Sequence, residues 1–375
     1  MTSATDTLAG RQDDERAVRA AVAGGWWPAQ DVRPLGNGHI HQTWRVTADA
    51  AHPVLVVQRM AGSVFADPVG VTRKVAAVIA HLDTGRAADR PALLPPARLP
   101  LPPAPALVTT RAGQPVLQTD DGTCWRAFRC IEPARTLDAL THPQQAEAAG
   151  RAFGALQTAL ADYPGDVPDP IPGFMQFGHY LQRLDQAVAS NPAVAHGPRV
   201  QALLRVIDPR RDLAQAFAER DRLVHADCKV NNLLFDPVRD DRVVAVLDLD
   251  TVMRGHWAWD AGDLLRSASA SPPMAIGAGS DGPQWRVAPP DVGRFAAVVR
   301  GMRATAAIDA APEDWVRAPC YVSAMLTARF LTDHLEGDWY FRVNAPGDNL
   351  DRAEAQCALL LGFEQAAPAL KAVIA

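Results

Sequence analysis

The sequence predicts an α+β fold in two lobes, a small N-lobe built on an antiparallel sheet and a larger, mainly helical C-lobe. Its 375 residues are enough for two compact domains of ordinary size. Strand-like patterns are concentrated before residue 132, and helical patterns dominate after it. Strands first and helices later are typical of α+β proteins rather than of alternating α/β proteins. We therefore place the N-lobe at residues 1–133 and the C-lobe at residues 134–375.

Four segments of the N-lobe have strand character. Residues 32–46 (VRPLGNGHIHQTWRV) are typical of two strands joined by a glycine turn, and residues 53–60 (PVLVVQRM) are strongly β-prone. Residues 106–110 and 123–131 add two more strand candidates, the second of them after a DDG turn. Together these segments predict the small antiparallel sheet.

Helical spacing of apolar residues predicts the remaining elements. Helices are expected over residues 14–23 and 68–82 of the N-lobe, and a long alanine-rich helix over residues 142–161. The proline-rich residues 91–105 are typical of an extended surface connection. The rest of the C-lobe is helical in pattern except for one strand-forming segment, residues 223–253. That segment also contains the most informative motif of the chain.

The composition indicates a folded protein without a general affinity for polyanions. Apolar residues make up 48% of the chain and charged residues 21%, which is enough apolar surface for a sizeable core. The 37 basic and 42 acidic residues give a formal net charge of -5, so no overall positive field attracts nucleic acid or an anionic membrane. No stretch of about 18 uncharged apolar residues is present, and we predict no membrane-spanning helix.

The cysteines and the N-terminal segment favour a cytoplasmic location. The chain shows no basic segment followed by the apolar run of a secretory signal. None of the five cysteines forms a CxxC pair, and their spacing fits no zinc template. Reduced, buried thiols are the usual state of such cysteines in the cytoplasm. We therefore predict a cytoplasmic protein with free, buried thiols.

The segment LVHADCKVNNLLFD contains His225, Asp227, Lys229 and Asn232 in the order H-x-D-x-K-x-x-N. The catalytic loop of kinases has this order. In such a loop the aspartate accepts the proton of the attacking hydroxyl, the lysine neutralises charge on the moving phosphoryl group and the asparagine coordinates magnesium. One Asp or Asn alone more commonly caps a turn. The ordered set, however, predicts a site for phosphoryl transfer.

A second carboxylate follows at the end of an apolar strand-like run. Asp248 comes directly after residues 243–247 and lies sixteen residues beyond Asn232. Magnesium prefers carboxylate and amide oxygens beside the phosphates of a substrate. If the two strand ends are adjacent, Asn232 and Asp248 form a clamp for the metal.

The glycine turn between the first two predicted strands is a candidate phosphate site. Gly36, Asn37 and Gly38 would allow backbone amides to approach the phosphates of a nucleotide. The full G-x-G-x-x-G pattern is absent, and GNG between strands also suits an ordinary hairpin turn. We assign the three residues to nucleotide binding on the strength of the catalytic loop downstream.

The third strand carries the next candidate. Kinases place a lysine there, against the α- and β-phosphates. This chain offers Gln58 and Arg59 instead, and alternation leaves open which of them faces the phosphates. We name Arg59 as the phosphate-binding cation. The helix predicted over residues 68–82 contains no glutamate, so the usual lysine–glutamate pair is absent or replaced.

Four other charged residues have predicted structural positions. Asp260 and Asp263, in WAWDAGDLLRS, are expected to hold the catalytic loop or to start a helix, because acidic residues are common in first turns. Arg126 and Arg129 alternate with aromatic residues, and we place them on the solvated face of their strand.

Taken together, these segments resemble the aminoglycoside phosphotransferase and choline kinase branch of the protein-kinase-like superfamily. The resemblance covers residues 32–365 and is strongest to the bacterial N-acetylhexosamine 1-kinases. The segments that carry it are GNGHIHQTWRV, VVQRMAGSVFADP, WRAFRCIE, GRAFGALQTALADYPG, IPGF, VHADCKVNNLLFD, VLDLDTVMRGHWAWDAGDLLRS and ARFLTDHLEGDWYF. Two of them depart from that subgroup: HADCK stands where HNDTK is usual, and VMRG where VMPG is usual.

The resemblance implies a bilobal kinase-like fold, ATP and Mg2+ as cofactors, and a small-molecule acceptor that is phosphorylated on the anomeric hydroxyl of an N-acetylhexosamine or a related sugar. The net charge of -5 and the composition predict no nucleic-acid or membrane partner. By the same resemblance Asp227 is the catalytic base, Lys229 contacts the transferred phosphate, and Asn232 and Asp248 bind the metal. The remaining implied residues face the sugar: Asp250 and Arg329.

Three alternatives stay open. The acceptor could be another small alcohol, such as choline, an amino alcohol, an unacetylated sugar or an aminoglycoside. The chain could be a nucleotide-binding pseudokinase that acts as a scaffold, although such a protein need not keep Asp227, Asn232 and Asp248 together. Finally, Arg329 could form a structural ion pair with Asp333, one helical turn further on.

Overall fold

A computed structural model describes residues 4–36, 41–62, 64–87, 103–270, 278–279, 282–283, 287 and 289–375. The chain divides into two compact units. The first, here called the sheet unit, consists of Met1–Ala87 and Ala104–Pro133. The second, the helical unit, consists of Ala88–Pro103 and Ala134–Ala375. The predicted α+β class, with a small antiparallel sheet and a mainly helical remainder, is confirmed.

The described residues of the sheet unit form two helices and five strands. In chain order they are α1 (Ala4–Gly25), β1 (Asp31–Pro34), β2 (Gln42–Thr47), β3 (Leu55–Arg59), α2 (Pro68–Ala87), β4 (Leu117–Gln118) and β5 (Cys124–Arg129). The strands form one antiparallel sheet in the order β1-β2-β3-β5-β4. Gly36 follows β1 with a φ of +71°, the left-handed region that glycine tolerates.

One face of this sheet forms the core of the unit. Val18 and Val22 of α1, together with Trp26 just beyond its end, pack against alternate residues of the sheet, which include Trp44 and Val57. The indole nitrogen of Trp26 donates a 2.8 Å hydrogen bond to the carbonyl of Val108. Because strand side chains alternate, the residues between these core positions lie on the opposite face.

The sheet unit differs from the prediction in its first helix and in two of its strands. Helix α1 is longer than the predicted helix at residues 14–23. The predicted strand at residues 106–110 is reduced to an isolated bridge between Leu107 and Phe128. The two-residue strand β4 was not predicted, because two residues are too few to show an alternating pattern. Most of the proline-rich connection at residues 91–105 lies outside the described residues.

The helical unit contains nine helices and six short strands among its described residues. In chain order they are α3 (Pro143–Leu160), α4 (Phe177–Ser190), α5 (Pro192–Ala195), α6 (Pro198–Ile207), α7 (Leu213–Ala216), β6 (Arg222–Val224), β7 (Leu233–Phe235), β8 (Val243–Val246), β9 (Met253–Gly255), α8 (Trp257–Ser269), β10 (Ala278–Gly279), β11 (Gly282–Pro283), α9 (Val292–Thr305), α10 (Pro312–Glu336) and α11 (Asp348–Ile374). The strands pair as β6 with β9, β7 with β8 and β10 with β11, all antiparallel.

Glycines allow helix α3 to lie unusually close to α9. A Cβ added to Gly150 would lie 2.4 Å from the carbonyl oxygen of Val298, and one added to Gly301 would lie 2.3 Å from that of Glu147. Any larger residue at either position would force the two helices apart. This close packing fixes α3, which places Phe153 against His225 and Gln157 against Asp260.

No membrane-spanning helix was predicted, but α11 is long and apolar enough to cross a membrane by length and composition. This is weak evidence for a membrane span, because the core helix of a globular protein passes the same test. Here α11 packs against α10 and α9, and it buries Leu360 and Phe363 completely. The buried carboxylate of Glu354 on α11 pairs with Arg199 at 2.7 Å. These contacts pack one face of α11 inside the helical unit, and 33% of its most apolar window is buried.

All five cysteines are free thiols, as predicted. Four of them are buried, whereas Cys130 is only half-buried, so the prediction of uniformly buried thiols is wrong at that position. Burial raises the pKa of Cys320 and of Cys357 to about 12, which keeps both thiols protonated and unreactive.

Candidate active site

Residues 225–232, here called the motif segment, connect β6 to β7, and His225 ties them to the segment that follows β8. The Nδ1 atom of His225 accepts a hydrogen bond from the backbone amide of Asp227 (3.2 Å), so its Nε2 carries the proton and donates to the carbonyl of Leu247 (2.8 Å). The hydroxyl of Thr251 donates to the backbone carbonyl of His225 (2.8 Å). His225 is fully buried with its ring edge against Phe153. It therefore has a structural part in the site.

Asp260, in the first turn of α8, holds the backbone of the same segment. Its carboxylate accepts the amide hydrogens of His225 (3.0 Å) and Ala226 (2.7 Å), and the side-chain amide of Gln157 (2.8 Å). Ala226 has a φ of +64°, an unfavourable conformation for a residue with a Cβ. The fully buried carboxylate stabilises this bend, which confirms the predicted structural position of Asp260.

Replacing Asp260 by alanine should destabilise the protein by about 2–3 kcal/mol, because two buried backbone amides would lose their acceptor. Thermal or urea unfolding measures the change. A matched control is Asp212→Ala, since Asp212 is exposed and makes no capping hydrogen bond at the start of α7. Equal stability of the two variants would show that water replaces the carboxylate without cost.

The geometry brings Asp227, Lys229 and Asn232 together. One oxygen of the Asp227 carboxylate, Oδ2, lies 2.8 Å from the Lys229 ammonium and accepts a 2.7 Å hydrogen bond from the Asn232 side-chain amide. Burial raises the pKa of the Asp227 carboxyl, but the Lys229 ammonium and the hydrogen bonds outweigh burial, so the pKa lies below its ordinary value. Asp227 is therefore ionised at neutral pH.

Lys229 is protonated because neighbouring carboxylates stabilise its positive charge. Burial lowers the pKa of its ammonium, but the carboxylates of Asp227 and Asp248 outweigh that effect and raise the pKa above its ordinary value. The site therefore presents a fixed carboxylate–ammonium pair that is stable over the whole neutral pH range.

The pairing of β7 with β8 places Asn232 beside the segment that contains Asp248. Asn232 immediately precedes β7, and its carbonyl accepts a 2.8 Å hydrogen bond from the amide of Leu247. Asp248 is the next residue, is exposed, and has a left-handed backbone with a φ of 59°. The two predicted metal residues are thus on adjacent strand ends.

Their donor atoms suit a divalent cation that also binds phosphate. Both side-chain hydrogen bonds of Asn232 use its amide nitrogen, which directs the amide oxygen elsewhere, and Asp248 presents an exposed carboxylate. Over the described ranges, His, Cys, Asp and Glu side chains form no group of three that could hold a metal by themselves. Magnesium is commonly bound by one or two protein oxygens plus substrate phosphates. The residues therefore fit such an ion.

Two further carboxylates lie close in sequence. Asp250 is in the short helical turn Leu249–Thr251 and is 1% exposed. Asp263, on α8, pairs with Arg266 at 2.5 Å. Burial raises the pKa of Asp263, and the negative charge of Asp227 adds to that effect. This ion pair lies within α8, so the expected contact of Asp263 with the catalytic loop stays a prediction.

Arg329, on α10, is enclosed by aromatic rings. Its guanidinium lies 3.0 Å from the hydroxyl of Tyr340, to which it donates. The guanidinium carbon lies between 4.9 and 5.5 Å from four ring centroids, those of Phe174, Tyr180, Tyr340 and Phe341. Burial lowers the pKa of Arg329, but the two tyrosines and Asp227 outweigh it and raise the pKa. Its charge is therefore within electrostatic reach of Asp227.

The predicted ion pair between Arg329 and Asp333 is wrong. The Asp333 carboxylate instead accepts the backbone amides of Tyr340 (2.8 Å) and Phe341 (2.9 Å) and the side-chain amide of Asn349 (2.7 Å). These bonds hold the segment after α10 against the helix, and this segment supplies two of the four rings around Arg329.

In the sheet unit, Arg59 and Gln58 point to opposite faces of the sheet. The guanidinium of Arg59 lies on the α1 side, 3.5 Å from the side chain of Gln42 and 3.7 Å from that of Asp14. Gln58 lies on the other face, where its side-chain oxygen accepts a 2.8 Å hydrogen bond from Nε of Arg126. Of the predicted glycine turn, Gly36 is described, whereas Asn37 and Gly38 lie outside the described residues.

Arg126 is the residue that the sequence prediction missed. It was placed on a solvated strand face, but it is 1% exposed, so that prediction is wrong. Residues 124–127 of β5 are all buried, which means that both faces of the strand are covered and that alternation carries no signal there.

Comparison with solved structures shows the same fold in several kinases. An amicoumacin kinase in complex with AMP-PNP, Ca2+ and Ami is 14% identical, covers 96% of this chain and 95% of its own, and has a TM-score of 0.54. A choline/ethanolamine kinase family protein from Mesorhizobium loti is 19% identical over 96% and 99% of the two chains, with a TM-score of 0.53. A spectinomycin phosphotransferase in complex with ADP and spectinomycin is 10% identical over 93% and 98%, with a TM-score of 0.56. At these identities the likeness shows the kinase-like fold alone.

The family assignment comes from the sequence. Residues 31–296, well over half of the chain, match the model of the family described as the phosphotransferase enzyme family, APH. That range contains the motif segment and Asp248, and it excludes α10 with Arg329. The chain is therefore a member of the phosphotransferase enzyme family.

Proposed function

We propose that the protein transfers the γ-phosphoryl group of ATP to the hydroxyl of a small molecule, and that this molecule is an N-acetylhexosamine or a related sugar phosphorylated at its anomeric hydroxyl. The observation that carries the proposal is the contact of the Asp227 carboxylate with Lys229 and Asn232, beside Asp248. A fixed carboxylate next to a fixed cation is what phosphoryl transfer requires of a protein, because positioning and charge neutralisation dominate its catalysis.

Each residue has a defined part in this reaction. Asp227 accepts a hydrogen bond from the acceptor hydroxyl and takes its proton as the oxygen bonds to the γ-phosphorus and the bond to the ADP oxygen breaks. Lys229 offsets the negative charge on the transferred group. Asn232 and Asp248 would hold a magnesium ion, which supplies further charge neutralisation when bound. The lowered pKa of Asp227 makes its carboxylate a weak base. It therefore takes the proton as the new bond to phosphorus forms, because only then does the acceptor hydroxyl become acidic.

The names of the relatives support the nucleotide and the metal. The amicoumacin kinase was solved with AMP-PNP and Ca2+, and the spectinomycin phosphotransferase with ADP. By analogy, we assign nucleotide binding to residues 1–133, including Gly36, and the catalytic loop with the acceptor site to residues 134–375. A cytoplasmic location belongs to the same proposal, since free thiols persist there.

For the acceptor, the proposal relies on Arg329 and Asp250. A guanidinium held by aromatic rings and within reach of Asp227 can donate to ring hydroxyls or to an acetamido carbonyl. A cation at this place disfavours choline or an aminoglycoside, which are themselves cationic. The similar kinases whose names refer to choline or to spectinomycin favour a cationic acceptor instead. The buried carboxylate of Asp250 would suit such a cation. The acceptor class therefore needs a direct test.

Replacing Arg329 by alanine should weaken use of the acceptor by about 2–4 kcal/mol in kcat/KM, because polar groups of the bound acceptor would lose their partner. The affinity for ATP should not change. Steady-state kinetics with varied acceptor, together with a melting curve, measure both. The control is Arg317→Ala on the same helix, where the side chain is 47% exposed and pairs with Asp314. A lower melting temperature with unchanged acceptor kinetics would make Arg329 a structural residue.

An acceptor screen tests the proposed function as a whole. The purified protein, ATP and magnesium would be incubated with N-acetylhexosamines, unacetylated hexoses, choline, ethanolamine and aminoglycosides, and ADP release would be followed. We expect the highest kcat/KM with an N-acetylhexosamine. Preference for choline or an aminoglycoside would reject the sugar assignment. Binding of ATP without turnover on any acceptor would favour the pseudokinase scaffold.

A further inference from the structure

A small cavity in the helical unit is lined by residues of α4, of α10 and of the segment that follows α10. Its wall includes Tyr180, Arg183, Arg329, Glu336 and Tyr340. Its volume is about 40 Å³, which is room for about three water molecules, because about 10–15 Å³ holds one. The cavity is therefore too small for a whole hexose ring, and it suits one substituent of a bound molecule.

Arg329 brings to this cavity a guanidinium whose N–H donors are mostly unused. Its side chain is half-buried, and it lines the cavity wall. Within the described ranges its one hydrogen bond runs from Nη2 to the hydroxyl of Tyr340, and no carboxylate there forms an ion pair with it. A guanidinium has donors on all three of its nitrogens, so most of them remain for a ligand.

Two phenol hydroxyls add further donors beside the guanidinium. Tyr180 is 4% exposed and lines the cavity, and its hydroxyl forms no hydrogen bond with any described residue. Burial raises the pKa of this hydroxyl, so it keeps its proton at neutral pH. The hydroxyl of Tyr340 accepts from Arg329, which leaves its own proton for donation. A guanidinium and two hydroxyls that can all donate are typical of a site for an anion.

The acidic side chains of the cavity wall already have partners. Glu336 pairs with Arg183 at 2.8 Å and accepts a 3.3 Å hydrogen bond from the indole nitrogen of Trp339. Both oxygens of Asp333 accept N–H groups from beyond the end of α10. Neither carboxylate therefore pairs with Arg329. Because a desolvated charge without a counter-ion is unfavourable, a bound anion would stabilise this guanidinium.

We propose that this cavity binds a carboxylate of the acceptor, with Arg329, Tyr180 and Tyr340 as its hydrogen-bond donors. A carboxylate fits the volume and can take two parallel hydrogen bonds from one guanidinium. The inference rests on the proposed function, and it narrows the acceptor to an N-acetylhexosamine that carries an acidic substituent. Because Arg329 is within electrostatic reach of Asp227, a molecule held by its carboxylate could present a hydroxyl to that base.

Acceptors that differ only in charge test the proposal. N-acetylated hexosamines that carry a carboxylate, as a uronic acid or as a carboxyalkyl ether, are compared with their neutral amides by steady-state kinetics with ATP and magnesium. For at least one pair we expect kcat/KM to be about tenfold or more higher with the acid, because hydrogen bonds between charged partners are stronger than those to an amide. If no acid is better than its amide, the inference is overturned.

Two variants assign the preference to the cavity. Arg329→Gln should remove it, so that the acid and its amide are used about equally, since the charge is lost. Tyr180→Phe removes only the hydroxyl and should lower kcat/KM for the acid by about tenfold, with a smaller effect on the amide. The control is Arg317→Gln on α10, whose side chain is 47% exposed and pairs with Asp314. The control should keep the preference of the wild type.

The outcomes distinguish the inference from the proposed function. Turnover of none of the sugars, acidic or neutral, would reject the proposed function and the inference with it. Turnover of neutral N-acetylhexosamines and amides as fast as that of the acids would overturn the inference alone. An undiminished preference for the acid in Arg329→Gln and Tyr180→Phe would also overturn it. Should Arg329→Gln not fold, Tyr180→Phe and the comparison of acid with amide in the wild type decide the question.

Discussion

Replacing Asp227 by asparagine should lower turnover by about 10²–10⁴-fold, the usual contribution of a positioned general base. Asparagine keeps the size of the side chain and can still accept a hydrogen bond, but it cannot take the proton of the acceptor hydroxyl. It also removes the charge that holds Lys229 at 2.8 Å. The fold and the affinity for ATP should remain, because Asp260 rather than Asp227 holds the backbone of the segment.

The experiment needs kcat at saturating acceptor, a nucleotide affinity and a melting curve for each variant. Asp221→Asn is the matched control, since this carboxylate lies just before β6 with 42% of its side chain exposed, next to Arg222. The control should behave as the wild type in all three measurements. Turnover near the wild-type value in Asp227→Asn would remove Asp227 from the role of base.

Replacing Asp248 by alanine should reduce magnesium-dependent activity by about 10³-fold or more, because charge stabilisation by a bound metal is worth several kcal/mol in the transition state. Asp248 is the only carboxylate of the two predicted metal residues, so its loss leaves the amide oxygen of Asn232 as the remaining protein ligand of the pair. The affinity for magnesium should fall together with the activity, and a magnesium titration of the rate measures it.

A second variant at this position distinguishes loss of the metal ligand from strain in the backbone. Asp248 has a φ of 59°, a conformation that asparagine tolerates better than alanine does. Asp248→Asn should therefore be as stable as the wild type and still need much more magnesium. If either variant is active at ordinary magnesium concentrations, the metal ligand lies elsewhere, and Asp250 becomes the next candidate.

The sequence predicted the parts of the fold in which the local pattern is strong. The long helix over residues 142–161 was predicted from the helical spacing of its apolar residues, and the strands around residues 32–60 from their β-prone composition and the glycine turn. The spacing of Asp227, Asn232 and Asp248 identified residues that the β7–β8 pairing then brings together. In these cases local spacing and tertiary structure agree.

The remaining features depend on contacts that local spacing does not encode. Arg126 was placed in solvent because an alternating strand was assumed, whereas β5 is covered on both faces. Arg329 and Asp333 are one helical turn apart and could pair on an isolated helix. In the folded chain, backbone amides beyond the end of α10 bind Asp333 and bring aromatic rings to Arg329. Such competition between partners is decided by tertiary structure alone.

The proposed reaction transfers a phosphoryl group from ATP to the anomeric hydroxyl of an N-acetylated sugar. Phosphorus NMR of a mixture that contains the protein, ATP, magnesium and an N-acetylhexosamine can observe this transfer. We expect a new sugar phosphate signal coupled to the anomeric proton, formed in equal amount with ADP by the wild type and not by Asp227→Asn. A phosphate ester at another hydroxyl, or ADP and inorganic phosphate without any sugar phosphate, would contradict it.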